Sequence, residues 1–286
     1  MSENVLVTGA TGKVGSHLVG RLLDRGCRVR AGTRDPDGAR RILPAGTEVV
    51  ELDYDRAETW DAAVQWADRV FLTPAPFDPH QLETLVPFLD WAVSSDTRHV
   101  VLLSVLGAER IHGLHLRKVE EHLAETGVEW TFLRPNWFMQ NFSVGYVLEC
   151  LRAEGAFALP ADDARVSFVD ARDVAEAAAV VLTTREHFGR AHPLTGPEAL
   201  SHEEAAAVLS EVADRPLRYE AVSDDIFRTI LRERGRTEEE QERILGAYRS
   251  MREGWRAQVT DGVEQITGAA PTTFRTFAQE HAEVWR

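Results

Sequence analysis

Through the first half of the chain, short apolar runs alternate with stretches whose apolar positions recur at helical spacing. The runs near 4–8, 28–33, 47–52, 69–73, 98–104 and 129–134 predict strands. The stretches near 13–25, 56–66, 79–94, 112–126 and 136–152 predict helices. The strand runs carry valine and leucine at successive positions, as strands covered on both faces require. Strand–helix alternation of this kind predicts the α/β class, a doubly wound parallel sheet. After about residue 155 the rhythm changes. Residues 155–160 and 165–169 read as short strands, and Asp170-Ala171-Arg172-Asp173 opens a helix from Val174 to Leu182 with acids at its positive end. Ser201-His202-Glu203-Glu204 is a capping box ahead of an alanine-rich helix. Residues 237–258 read as a long charged helix, and Thr272 to Val284 as a closing one.

The first strand runs into Thr8-Gly9-Ala10-Thr11-Gly12-Lys13-Val14-Gly15, and helical spacing resumes at Ser16. Three glycines in that context each have a physical task. One turns the chain at positive φ, one lets the backbone approach a pyrophosphate, and one lets the helix pack on the strand. The amides at the helix start then face the anion. The alternative is a tight turn without a ligand. The second strand ends roughly 20 residues after the glycine turn, where such units place the side chain that reads the adenosine ribose. Arg34 stands there first and Asp35 second. A planar guanidinium fork suits a 2′-phosphate, so NADP(H) is the preferred cofactor, with NAD(H) kept open by Asp35. The expected organisation is a Rossmann NAD(P)-binding lobe, 1–134 plus about 165–195. A smaller, mostly helical substrate-binding lobe takes about 135–164 plus 196–286.

Composition narrows the class without naming the chemistry. At 44% hydrophobic and 27% charged residues, this is the balance of a soluble globular chain. No apolar run approaches the roughly 18 residues of a membrane span. The first strand begins close to Met1, so no secretory leader is expected. Cys27 and Cys150 make no disulfide framework, and a cytoplasmic location fits. A net charge of −14 argues against direct nucleic-acid binding. The expected partner is a small-molecule substrate, the protein acting as a monomer or homodimer. No histidine pair stands with an acid at ligand spacing, so no metal is expected.

Several motifs in order along the chain resemble the extended-type short-chain dehydrogenase/reductase superfamily, in its atypical NmrA-like, quinone-reductase-like branch. They are the glycine turn, Arg34-Asp35-Pro36, Leu52-Asp53, Leu102 to Ala108, Trp130 to Pro135, Phe168 to Ala175 and Leu194 to Pro197. The resemblance implies that Gly9, Thr11, Gly12, Lys13, Val14 and Gly15 wrap the pyrophosphate. It implies that Asp53 sits beside the adenine amino group, and that Thr73, Pro74 and Ala75 run along the ribose and nicotinamide. Ser104 falls where the superfamily keeps its catalytic serine or threonine. The superfamily's Tyr-x-x-x-Lys pair is missing. One register places His112 and Leu116 at the two positions, and the other places Leu114 at the tyrosine.

His112 and His115 are three apart on one helix face, and imidazole is a side chain that can donate a proton near neutral pH, which makes them candidate proton donors beside Ser104. Their alternative is a polar loop-to-helix junction. After the sixth strand, where the branch lines its pocket, Asn136, Trp137, Phe138 and Asn141 are the expected substrate contacts. Trp137, Phe138, Met139 and Phe142 offer faces to a flat substrate, or plain core. The expected function is NAD(P)H-dependent reduction of a quinone, ketone or enone of a small aromatic molecule. The rivals are a non-catalytic NADP(H)-binding redox sensor, and a biosynthetic tailoring enzyme for oxygenation or rearrangement.

Overall fold

A computed structural model describes residues 3–75, 78, 80–111 and 113–286. The strands are β1 (Asn4–Thr8), β2 (Arg28–Thr33), β3 (Glu48–Glu51), β4 (Arg69–Leu72), β5 (His99–Leu103), β6 (Glu129–Pro135), β7 (Ala156–Leu159), β8 (Arg190–Leu194) and β9 (Arg218–Ala221). The first six helices are α1 (Gly15–Asp24), α2 (Pro36–Ile42), α3 (Trp60–Val64), α4 (Gln81–Ser94), α5 (His115–Glu125) and α6 (Gly145–Glu154). The other six are α7 (Ala171–Thr183), α8 (His202–Ala213), α9 (Asp224–Glu233), α10 (Glu238–Arg252), α11 (Gly262–Thr267) and α12 (Phe274–Glu280). The chain divides into two compact units. Unit 1 is Met1–Pro135, Ala171–Pro193 and Gln265–Gly268; unit 2 is Asn136–Asp170, Leu194–Glu264 and Ala269–Arg286.

Unit 1 is built on a seven-stranded sheet of order β3-β2-β1-β4-β5-β6-β8. The pairings from β3 through β6 are parallel. Every residue of β4 and β5 is buried, which explains the apolar runs Val70–Leu72 and Val100–Leu103 that follow Arg69 and His99. Leu6, Leu72, Val100 and Leu102 join Phe88 of α4 and Leu116, Val119 and Leu123 of α5 in one core. Alanines 175, 177, 178 and 179 of α7 are fully buried. Strand order reverses direction at β1, so the end of β1 is the crevice where such sheets bind ligands.

Unit 2 packs an aromatic core of Phe142, Phe157, Phe168, Phe274, Phe277 and Trp285. The Trp285 indole donates to the Phe142 carbonyl at 2.8 Å. β7 and β9 form a two-stranded parallel sheet. The predicted helix over 136–152 is not one element. Residues 139–142 make a 3-10 turn, and α6 starts only at Gly145, whose φ of +68° breaks the helix between them. The long helix predicted over 237–258 ends at Arg252, because Gly254 turns left-handed at φ +86°. The closing helix stops at Glu280 and finishes in a 3-10 turn.

His202 sits inside that aromatic core, and burial holds its pKa down at about 4. The unfolded imidazole titrates at about 6.5. Between those values the unfolded chain binds more protons, so stability is full above about pH 6.5 and falls as pH drops towards 4. This one group accounts for up to about 3 kcal/mol of that loss. His99 and His192 are held down to about 3 and about 4 in the same way. Thermal unfolding of His202→Phe followed across this range should show a visibly shallower acid slope than the parent. Equal slopes would contradict the assignment.

Candidate functional site

The glycine turn closes the end of β1. Gly9 is left-handed at φ +58°, and the Gly12 amide donates to the Gly9 carbonyl at 2.9 Å. A Cβ on Gly15 would stand 2.3 Å from the Gly9 oxygen, and one on Gly12 would stand 3.1 Å from it. A Cβ on Gly9 would meet the Thr73 side chain at 3.2 Å. The three glycines therefore leave a bare backbone cradle. α1 rises from it with no side-chain cap and no acid in its first turn. Such a helix start favours an anion, at about 0.3–1 kcal/mol for a surface charge.

Neighbouring strand ends bring the other predicted residues to the same edge. Thr8 Oγ1 donates to the Phe71 carbonyl at 3.0 Å and accepts from the Thr73 amide at 2.8 Å. The Tyr54 hydroxyl closes this cluster, 2.7 Å from Thr8 Oγ1 and 3.0 Å from the Thr73 carbonyl. Thr73 Oγ1 is buried with no hydrogen-bond partner among the described residues, directly beside Gly9. Pro74 and Ala75 follow, the Ala75 carbonyl accepting from Gln81 at 2.9 Å. Asp53 is held past β3, its Oδ1 accepting from the Asp55 amide at 3.1 Å. Thr11 and Lys13 are exposed on the turn and Val14 is buried beneath it. A bare cradle, an uncapped helix and an orphaned hydroxyl fit the diphosphate and ribose of a dinucleotide.

The end of β2 separates Arg34 from Asp35. Asp35 caps α2, its Oδ1 accepting from the Gly38 amide at 2.9 Å. A Cβ on Gly38 would collide with that carboxylate, at 2.1 Å from Oδ2. Asp35 is thus engaged in starting a helix. Arg34 is exposed and makes no ion pair among the described residues.

Ser104 follows β5 and is 3% exposed. Its hydroxyl donates to Glu120 Oε1 at 2.6 Å. Glu120 is fully buried on α5 and also accepts from Arg134 Nε at 2.9 Å, Arg134 Nη2 at 2.6 Å and Arg117 Nη1 at 3.0 Å. Arg134 Nη1 reaches Glu109 at 2.8 Å. Burial opposes the Arg134 charge, but the bond to Glu120 and the charges of Glu120 and Glu109 outweigh it and raise its pKa. Sequence reasoning missed this network, and with it the hydroxyl's engagement. The available signal was Glu120 at helical spacing from Leu116 and Leu123, on the buried face of α5.

His115 is half-buried at the first position of α5, with its Nδ1 enclosed and unpartnered among the described residues. His112 lies outside the described residues. In unit 2, Asn136 is buried and donates to Ser167 Oγ and the Arg256 carbonyl, both at 2.8 Å. Trp137 packs on Tyr248 with ring centroids 5.0 Å apart, and Phe138 bridges to Val169. Asn141 is half-buried in the 3-10 turn. Met139 and Phe142 are core of unit 2, 1% and 2% exposed, so the plain-core alternative describes them.

Comparison with known proteins bears on this site. The NmrA-like family model matches residues 1–278. A (4-alkanoyl-5-oxo-2,5-dihydrofuran-3-yl)methyl phosphate reductase of Streptomyces griseus is 36% identical over 98% of this chain and 99% of its own. An NAD(P)H azoreductase of Xenophilus azovorans is 32% identical over 97% of this chain and 98% of its own. A crystal structure of an NADPH-dependent quinone oxidoreductase from Escherichia coli, complexed with NADPH, superposes with a TM-score of 0.83. That likeness covers 96% of this chain and 99% of the other at 21% identity.

Proposed function

The chain belongs to the NmrA-like family, and from that membership we propose that it is an NAD(P)H-dependent oxidoreductase that reduces a quinone, ketone or enone of a small aromatic molecule. The observation that carries this reading is the bare Gly9–Gly15 cradle beside the orphaned Thr73 hydroxyl. Two relatives above 30% identity, both matched over nearly their whole length, are named as reductases.

When bound, the dihydronicotinamide supplies the hydride. The protein holds and orients it. The turn amides that follow Gly9 would hold the diphosphate, Arg34 would meet the 2′-phosphate, and Asp53 would face the adenine. Thr73, Pro74 and Ala75 lie along the ribose and nicotinamide. Asn136, Trp137, Phe138 and Asn141 contact the substrate. Ser104 gives its hydrogen to Glu120, so the proton for the reduced oxygen comes from His115 or water. Hydride and proton together turn a quinone into its hydroquinone. The reduced oxygens of a quinone carry charge well, so a site without a tyrosine acid suits that substrate.

The test is NADPH consumption, followed by its absorbance, against a panel of quinones, azo dyes and aromatic enones. Turnover of at least one is expected. Turnover of none, with oxidised and reduced cofactor bound equally, would replace this reading by the redox sensor. Arg34→Ala should weaken NADPH by about tenfold to a hundredfold, from the loss of hydrogen bonds to a charged group, and leave NADH nearly unchanged. Calorimetry with both cofactors checks this. Equal losses would contradict the role of Arg34.

A further inference from the structure

Unit 2 holds one cation that the reduction does not account for. After Gly254, residues 255–260 are pinned back onto the unit by polar staples. The Arg256 carbonyl accepts from Asn136 Nδ2 at 2.8 Å and from the Ser167 amide at 3.1 Å. Ser167 Oγ donates to the Gln258 carbonyl at 2.7 Å, and the Thr260 amide donates to Thr195 Oγ1 at 2.9 Å. The backbone of Arg256 is therefore fixed. Its side chain is carried inward with it and the residue is only 5% exposed.

The guanidinium carbon lies 4.3 Å from the centre of the Trp255 ring, which supports the plane from one side. Among the described residues it makes no hydrogen bond and no ion pair, and its Nε is sealed from water without a partner. Glu253 acts on it only through space, and that carboxylate accepts from the Trp255 indole at 3.2 Å. A second enclosed atom nearby is also unmatched. Asn136 must point Nδ2 at the Arg256 carbonyl, which can only accept, and its Oδ1 is left buried and unpaired.

Arg69 provides the contrast. It is equally buried, at 5% exposure, yet it donates to the Thr184 carbonyl at 3.0 Å and to Glu3 at 2.9 Å. A buried unpaired cation costs several kcal/mol, and an oxyanion that met Arg256 would offset that cost. Burial lowers the Arg256 pKa to about 10, which still leaves it charged at neutral pH.

We propose that Arg256, its backbone fixed by Asn136 and Ser167 and its plane supported by Trp255, is an anion-recognition residue of unit 2, taking a carboxylate or phosphate monoester. The inference goes beyond the reductase reading and does not depend on it. The planar fork suits two oxygens of one oxyanion.

Benzoate and phenyl phosphate are the probes, titrated calorimetrically into the full chain with NADP+ present and absent. Parent protein should bind at least one, and the tighter of the two identifies the oxyanion. Arg256→Met should weaken it by about tenfold or more, as expected for losing a charged hydrogen-bond donor. Arg256→Lys should fall between the two. Without any anion, Arg256→Met should unfold at the same temperature as the parent or higher, because an unpaired buried charge has been removed. A structural arginine would instead give a lower melting temperature and unchanged probe affinity, and that result overturns the proposal. So does the absence of probe binding to the parent. Reduction of neutral 1,4-naphthoquinone, measured in parallel, reports on the reductase reading independently of Arg256.

Discussion

Gly15→Ala is expected to weaken NADPH binding by about tenfold to a hundredfold, with the protein still folded. The added Cβ would stand 2.3 Å from the Gly9 oxygen and 2.9 Å from the Ala10 Cα, both backbone atoms that cannot rotate away. The turn must open, and the 2.9 Å bond from the Gly12 amide to Gly9 opens with it. Overpacking of this kind costs about 1–3 kcal/mol, and about 1.4 kcal/mol is a factor of ten in affinity. Gly20→Ala is the matched control on the same helix. Its Cβ would meet only Pro44 Cγ, at 3.9 Å. That variant should bind NADPH as the parent does and gain roughly 0.5–1 kcal/mol of helix stability. Calorimetric titration and melting temperatures measured on both proteins check the pair. Equal affinity in the two variants would mean that the cradle holds no diphosphate.

Glu120→Gln should destabilise unit 1 by about 3–5 kcal/mol. It leaves Arg134, with a side chain 14% exposed, facing an amide in place of the buried carboxylate it grips through two nitrogens. Among the described residues Glu109 is then its only carboxylate partner, and Glu109 is 47% exposed. Ser104→Ala removes one hydrogen bond from the same carboxylate and should lose only about 1 kcal/mol. Urea unfolding of the three proteins measures both differences. A Ser104→Ala protein as unstable as Glu120→Gln would shift the weight of the network from the ion pair to the hydroxyl.

Legibility in the sequence followed the range of the forces involved. The glycine turn could be read because its steric demands act within seven residues, Gly9 to Gly15. β4 and β5 could be read because burial on both faces leaves the apolar runs Val70–Leu72 and Val100–Leu103. β8 was not foreseen: its Arg-Ala-His-Pro-Leu is mostly half-buried or exposed and contains a proline, so it has no apolar run. α9 was missed for a similar reason, since only Phe227 and Leu231 of its ten residues are buried. Glu120 and Arg134 meet only when α5 packs beside β6, and neither residue type announces burial. Arg256 is one arginine in a charged stretch, and only the staples to Asn136 and Ser167 show its backbone drawn inward. The competition between Arg34 and Asp35 also needed coordinates, because capping of α2 by Asp35 depends on a helix starting at Pro36.

The central claim is that a nicotinamide dinucleotide lies with its diphosphate on the amides after Gly9. Isothermal titration of the parent protein with NADPH, NADP+, NADH and NAD+ tests it most directly. The account predicts one site per chain, with the phosphorylated forms bound more tightly. No measurable heat from any of the four, at protein and ligand concentrations that reach millimolar affinities, would contradict it.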